Sequence, residues 1–436
     1  MDYMEERILS IIDSHAQELQ ALADDLFQHP EQGYHEYRTA KVVADFLRKL
    51  GMQPKEGLAI TGVKASIGKE GGPNLALIGE LDALACPTHP SASPEGYAHA
   101  CGHYAQLVCM LGAALALSDP EVAASLDGKA TFFAVPAEEF QGAAVREEVL
   151  REHDVHCIGG KCELLRRGEF DDVDLAITTH SLMVDRDSGA DLVLGNNACN
   201  GFVGKTIYIH GRAAHAAAAP HLGINALNAA NLGLSALGMI RETFQEKDCI
   251  RVHPYIRKGG EAVNIVPSEV VVDMMVRAAT QQAVEETSAK VDNCFKGAAM
   301  AIGCEVDIVN SQGYMPCPER LPDQVMWDVA PLLGEGVTIA PIHSGSQNTA
   351  STDVGDLFAV MPVLNFTFGG STGDLHSKDY KVSDPYVAHI LPAKMMALMA
   401  YRLLKDGAAQ AKTIVEEYDA PYTKQAYKDY TKGISG

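Results

Sequence analysis

The sequence predicts an α/β fold in which a larger domain, built on a mostly buried sheet, is interrupted by a smaller α+β domain. Three features predict it. Short apolar runs alternate with helical periodicity in the first part of the chain, the texture changes at Gly195-Asn196-Asn197, and α/β character resumes beyond residue 312. The expected division is a discontinuous larger domain over 1–197 and 312–436, with an insertion over 198–311.

The elements follow in order. Helical spacing runs from Ile8 and Leu9 through Leu19, Leu22 and Leu26, and again over residues 39–50, where Gly51 stops it. Strands are expected at 74–79, 130–135 and 173–179, with a helix at 105–117 between the first two. Such a sheet collects ligands beyond its strand ends. The insertion reads strand 205–210, helix 223–240, strands 250–257 and 263–276, helix 281–301 and strand 305–309. That βαββαβ order suffices for one sheet with a helix pair. A helix at 323–333, a strand at 363–368 and a closing helix at 385–404 restore the first pattern, and the polar tail after Lys405 is expected to be peripheral.

Composition excludes several classes of function. With 436 residues, 47% of them hydrophobic, the chain can bury a core large enough for two domains. A formal charge of -22 repels phosphate backbones and anionic lipid, so neither nucleic acid nor a membrane surface is an expected partner. No apolar stretch approaches the roughly 20 residues that span a bilayer, and MDYMEERILS is acidic where a secretory signal is basic. A cytoplasmic location with reduced thiols is the expectation for the ten scattered cysteines.

Six residues of metal-site type stand at the ends of apolar runs. Cys101-Gly102-His103 offers a thiolate and an imidazole two positions apart, with a glycine that lets the loop close around a cation; taken alone, a buried thiol beside an ordinary histidine fits equally well. In the run TFFAVPAEEF, Pro136 ends a strand before the adjacent carboxylates Glu138 and Glu139. One can bind metal while the other moves protons, although a solvated acidic pair is the commoner fate of Glu-Glu. His180 follows one strand, and His376 lies in the loop GGSTGDLHS after another. Individually both are weak candidates, and convergence gives them weight. Asp82, after a further strand, can orient a ligand or cap a turn. His215 in GRAAHAAAAP sits among small residues that leave room for another surface. Asn264 and Arg277 are expected on one strand segment, with Arg277 able to grip a carboxylate or to form a surface ion pair.

The motifs YAHACGH, VPAEE, GRAAHAAAAPHLGINAL, GGEAVNIVP and STDVGDL resemble those of the zinc-dependent aminoacylase and carboxypeptidase family, metallopeptidase family twenty of clan MH. The likeness is to its amidohydrolase branch, which includes aminobenzoyl-glutamate hydrolase subunits and β-alanyl dipeptidases, and it runs from His29 to the final helix. The resemblance implies a three-layer catalytic domain with an inserted lid and dimerisation domain. It implies Cys101, His103, Glu139, His180 and His376 as metal ligands, Glu138 as general base and Asp82 as orienting residue. It further implies His215 reaching a partner subunit's site in a homodimer, and Asn264 and Arg277 binding the substrate's carboxylate or reacting centre. Two divalent ions per subunit are implied, zinc foremost, with manganese, cobalt or nickel as alternatives.

The implied reaction is hydrolysis of an amide bond in an N-acyl amino acid, an aminobenzoyl-glutamate-like conjugate or a dipeptide. Three departures stand out: Tyr104 follows Cys-Gly-His where relatives have Asp or Asn, Gln106 replaces a histidine of one sub-branch, and Glu80 replaces a histidine ligand of the carboxypeptidase-like members. The competing readings are a strict dipeptidase and a non-catalytic small-molecule binding protein, the latter suggested by Tyr104. Gly201 and Gly313 are the expected hinges.

Overall fold

The computed structural model describes residues 1–139, 142–182 and 189–434. It contains two compact units. The first comprises Met1–Asn197, Pro318–Gly345 and Leu357–Lys428; the second comprises Ala198–Cys317, Ser346–Asp356 and the chain from Asp429 onward. The second unit therefore takes in two short segments beyond the insertion expected at 198–311.

The first unit is organised by an eight-stranded sheet, in the order Lys55–Leu58, Gly62–Gly68, Lys129–Val135, Asn74–Glu80, Leu175–Ser181, Val363–Phe368, Leu192–Leu194, Ile339–Pro341. The four middle strands, from Lys129–Val135 to Val363–Phe368, are mutually parallel, and antiparallel pairs flank them. Every residue of Asn74–Glu80 is buried. A strand covered on both faces needs a continuous apolar run rather than alternation, which is how NLALIG reads. The helices His103–Leu117 and Leu391–Leu404 are buried almost throughout and share one core with Leu75, Leu77, Phe132, Ile177 and Phe366. Because the middle strands are parallel, their carboxyl ends emerge along one edge, carrying Glu80, His180 and the segments that lead to Asp82, Glu138, Glu139 and His376.

The second unit holds an antiparallel sheet in the order Arg251–Lys258, Glu269–Ala278, Gly201–His210, Glu305–Ser311. The helices Ala226–Ile240 and Gln281–Ile302 cover one face, burying Ile207, Ile209, Val270, Val272, Leu237 and Phe295. This is the expected βαββαβ order.

Several expectations need correction. The strand expected at 263–276 begins only at Glu269, because Gly259, Gly260 and Pro267 interrupt the ladder, so Asn264 lies in a turn and not on the strand of Arg277. The tail is not peripheral throughout: it forms helices Ala409–Glu417 and Lys424–Ile434, and Tyr427 is fully buried. One helical stretch, Tyr386–Leu404, is long and apolar enough to span a bilayer by length and composition, but 89% of its most apolar window is buried inside the protein, as in a core helix.

Candidate metal centre

The strand ends bring together seven of the ten residues singled out from sequence: Asp82, Cys101, His103, Glu138, Glu139, His180 and His376. The ligand atoms of Cys101, His103 and His180 lie within 4.8 Å of one another, as do those of Cys101, Glu139 and His376, and those of His103, Glu138 and Glu139. Cys101 Sγ stands 3.4 Å from His180 Nε2 and 3.3 Å from His376 Nε2, and His376 Nε2 stands 3.2 Å from Glu139 Oε1. Nitrogen, sulfur and oxygen donors arranged tetrahedrally around one zinc-sized ion are separated by about 3.3–3.8 Å, so the spacing fits shared cations.

Backbone and carboxylate partners set the imidazole tautomers. His180 Nδ1 donates to the Ser181 carbonyl at 2.8 Å. His103 Nδ1 lies 3.1 Å from both the carbonyl and Oδ1 of Asp82, which is fully buried. Each contact engages the Nδ1 proton and turns Nε2 toward the cluster, the orientation a metal-binding histidine needs. Asp82 Oδ2 also accepts the Glu139 N–H at 2.9 Å, so one carboxylate orients an imidazole and anchors the loop of Glu139. Gly102 sits between Cys101 and His103 with φ 85°, and a Cβ there would lie 2.5 Å from Ser181 Cβ. Only glycine suits both that conformation and that space.

The charges are those of a site built for cations. Burial opposes ionisation of the Cys101 thiol, but His180 and His103 outweigh it and bring the thiol down to about 6. The hydrogen bonds to Cys101 and then Glu139 raise His376 to about 11. Burial disfavours charge on His103 too, yet Glu80 and Cys101 push it well above the usual imidazole range. Protons on the imidazoles thus balance a thiolate and carboxylates, a balance that a divalent cation held by these residues would supply in their place.

Sequence reasoning missed the residue that explains Glu80. Lys161 is fully buried, and its Nζ meets Glu80 Oε1 at 2.5 Å. Gln106 Nε2 donates to Glu80 Oε2 at 2.8 Å, and His103 Nε2 faces the same oxygen at 3.2 Å. Burial alone disfavours the Glu80 carboxylate, but Lys161, His103 and His180 hold it at about 2. Two of the departures noted in sequence, Glu80 and Gln106, are therefore one hydrogen-bonded unit closed by Lys161. The available signal was the lysine after Gly159-Gly160: a Cβ on Gly160 would fall 1.8 Å from the Pro136 carbonyl oxygen, so the helix that begins with Lys161's neighbour packs directly against the turn before Glu138. Tyr104, the third departure, is a core residue. Its ring packs against Phe27, His99 and His389, and its hydroxyl lies 3.3 Å from His389 Nε2.

The other three residues belong to the second unit. His215 is exposed, and its Nδ1 accepts the N–H groups of Ala217 and Ala218 at 3.3 and 3.1 Å, which leaves its proton on Nε2. Asn264 is exposed in the adjoining turn, where its carbonyl accepts the Ala216 N–H at 3.0 Å. Arg277 is partly buried over the Phe202 ring, 5.7 Å from its centroid, and no ion pair to it appears among the described residues.

A mixed sheet whose parallel middle strands carry a thiolate, imidazoles and carboxylates at their carboxyl ends, in a chain that also holds a βαββαβ unit, suits an enzyme of the amidohydrolase and peptidase class. The comparisons agree. Residues 197–301 match the peptidase dimerisation domain of the M20 peptidases. The chain is 28% identical to the Xaa-Arg dipeptidase of Mus musculus over 87% of its own length and 83% of that protein's. It is 30% identical to a p-aminobenzoyl-glutamate hydrolase chain of Escherichia coli over 70% of its own length and 60% of that protein's. The fold matches, with a TM-score of 0.63 at 20% identity, a dinuclear metal-binding peptidase of the M20 family from Bacillus subtilis, over 90% of this chain and 99% of that one. The chain is thus similar to hydrolases of the M20 peptidase kind, and residues 197–301 carry the matched dimerisation domain.

Proposed function

We propose that this chain is a metal-dependent amidohydrolase acting on an N-acyl amino acid, an aminobenzoyl-glutamate-like conjugate or a dipeptide. The observation that carries the reading is Cys101 Sγ, with His180 Nε2 at 3.4 Å and His376 Nε2 at 3.3 Å, beside the Glu138-Glu139 pair. Cys101, His103, Glu139, His180 and His376 hold the metal, as two ions with zinc foremost and manganese, cobalt or nickel as alternatives. A divalent cation bound there supplies Lewis acidity toward the amide carbonyl and toward water, whose pKa it lowers from about 15.7 to about 7.

The remaining steps fall to side chains. Glu138, adjacent to a ligand but free of that duty, takes the proton of the attacking water at a carboxylate oxygen and returns it to the leaving amine nitrogen. Asp82 fixes His103 and the Glu139 loop. His215, with its proton on Nε2, donates to the developing oxyanion from the partner subunit of a homodimer, a contact commonly worth about 3 kcal/mol. Arg277 grips the substrate's carboxylate, supported by its lack of an ion-pair partner among the described residues, and Asn264 assists beside His215. In this reading 1–197 and 312–436 form the catalytic domain, 198–311 form the lid and dimer domain, and the enzyme works in the cytoplasm.

The names of the relatives in mouse and Escherichia coli support dipeptides and aroyl-glutamate conjugates as the first substrates to try. Tyr104, which suggested a non-catalytic protein, packs in the core and leaves the ligand set complete. The test is a hydrolysis screen over acyl-amino acids and dipeptides, with zinc, manganese and cobalt supplied in turn. Glu138→Gln is expected to keep its metal and lose turnover. Near-normal turnover in that variant, or hydrolysis insensitive to chelators, overturns the reading.

A further inference from the structure

The turn that carries Glu138 and Glu139 runs against the conformational preference of its residues. Pro136 ends the strand Lys129–Val135, and Ala137 follows with φ 47°, in the left-handed region that a residue bearing a Cβ adopts at a cost. Ala137 is fully buried, so its N–H needs a partner within the protein. That partner is Oε1 of Glu36, at 2.8 Å. Glu36 arrives from 101 residues earlier in the chain, immediately before the helix Tyr37–Lys49, and is itself fully buried. Its Oε2 accepts the Thr61 hydroxyl at 2.6 Å.

A buried carboxylate ordinarily faces a cation, yet among the described residues no ion pair reaches Glu36. Burial and then nearby Asp82 push its carboxyl up to about 8, so a neutral group serves this place as well as a charged one. What both forms share is an acceptor oxygen aimed at Ala137. The rest of the turn is fixed in the same manner: the Ala137 carbonyl accepts the Gly160 N–H at 3.0 Å, and the Glu139 N–H reaches Asp82 at 2.9 Å.

We infer that Glu36 is a positioning residue of the metal centre: by accepting the Ala137 N–H it holds the left-handed turn that aims Glu138 and Glu139 at the thiolate and imidazoles. Its two carboxylate oxygens meet the Ala137 N–H and the Thr61 hydroxyl, so it acts through the backbone of Ala137. This rests on the reading of Glu139 as a ligand and Glu138 as the proton carrier.

The test compares Glu36→Gln, Glu36→Asp, Glu36→Ala and the double variant Glu36→Ala/Ala137→Gly in the full-length protein. Metal affinity is measured by titration of the metal-free protein with zinc, and kcat and KM at saturating metal. Glutamine keeps an acceptor at the same reach and is expected to retain metal affinity and turnover. Aspartate keeps the charge but falls one methylene short, and alanine removes the acceptor; both are expected to lose about 10- to 100-fold in metal affinity and in kcat with little change in KM. Glycine adopts the left-handed turn unaided, so the double variant is expected to regain part of the loss, a rescue that a purely structural role for Glu36 does not predict.

Should Glu36→Ala fail to fold, the Gln and Asp pair still decides. Folded Glu36→Asp with unchanged zinc affinity and kcat overturns the inference, as does Glu36→Gln behaving like Glu36→Asp. Glu139→Ala serves as the control: its loss of zinc beside an unaffected Glu36→Asp overturns the role of Glu36 alone, whereas zinc retained in Glu139→Ala brings down the ligand reading and this inference together.

Discussion

His103 stands between two buried carboxylates, with Asp82 at its Nδ1 and Glu80 at its Nε2. What lets Glu80 remain charged there is Lys161, itself without solvent exposure. Removing one partner of such a pair leaves a buried charge uncompensated, which costs about 3–5 kcal/mol. Lys161→Met is therefore expected to lower the urea denaturation midpoint strongly, and Lys161→Met/Glu80→Gln to recover much of it. Glu163 illustrates a different balance. Burial opposes its charge, but Arg166, the N–H groups of Cys157 and His156, and Arg167 together hold its carboxyl below the ordinary range. A folded-state pKa below the unfolded one means that the stabilisation is complete above about pH 4.3 and is lost as the pH falls through the folded value. The stability difference between the unmodified protein and Glu163→Gln, measured by denaturant unfolding, is expected to shrink as the medium is acidified below about pH 4.

At the scale of elements, the decisive piece is the start of the helix His103–Leu117. Gly102 precedes it in the left-handed conformation and lies against Ser181 at the end of the strand Leu175–Ser181, so the helix, the strand that carries His180 and the loop that carries Cys101 meet at a residue without a side chain. Gly102→Ala introduces a left-handed alanine, worth about 1–2 kcal/mol, and a Cβ with no room beside Ser181. A lower melting temperature together with weaker zinc binding is the expected outcome, read by calorimetry and by metal titration. A loss of stability with unchanged metal affinity would show that the loop position does not govern the ligands. The strand Val363–Phe368 contributes through the loop beyond it, where His376 itself adopts φ 61° and ties its N–H to the Ala100 carbonyl at 2.8 Å.

For the molecule as a whole, the match of residues 197–301 to a peptidase dimerisation domain makes subunit exchange the informative experiment. If His215 serves the partner's site, Glu138→Gln and His215→Ala are each inactive alone, but mixed dimers contain one site with both groups intact. Mixing the two variants under exchange conditions is expected to restore up to about a quarter of normal activity, since half the dimers are mixed and each carries one complete site. Light scattering on the same samples checks the dimer, and absence of complementation in a verified mixed dimer would place His215 outside the catalytic step.

The sequence by itself determined what depends on near neighbours: the buried strand in NLALIG, the helix after Cys-Gly-His, the βαββαβ order of the insertion, and the residue types that suit a metal. It misjudged Asn264, where glycines and a proline broke an apparently continuous strand, and the tail, where Tyr427 is buried. Only the tertiary structure decided which residues meet. Cys101 reaches His180 across 79 positions and His376 across 275, Lys161 reaches Glu80 across 81, and Glu36 reaches Ala137 across 101. These contacts follow from strand order, with Asn74–Glu80 seated between Lys129–Val135 and Leu175–Ser181, and from glycines that admit close approach. Hydrophobic periodicity encodes which face of an element is buried but not which element lies beside it, so candidate ligands could be named from the sequence while Lys161 and Glu36, buried among distant partners, could not.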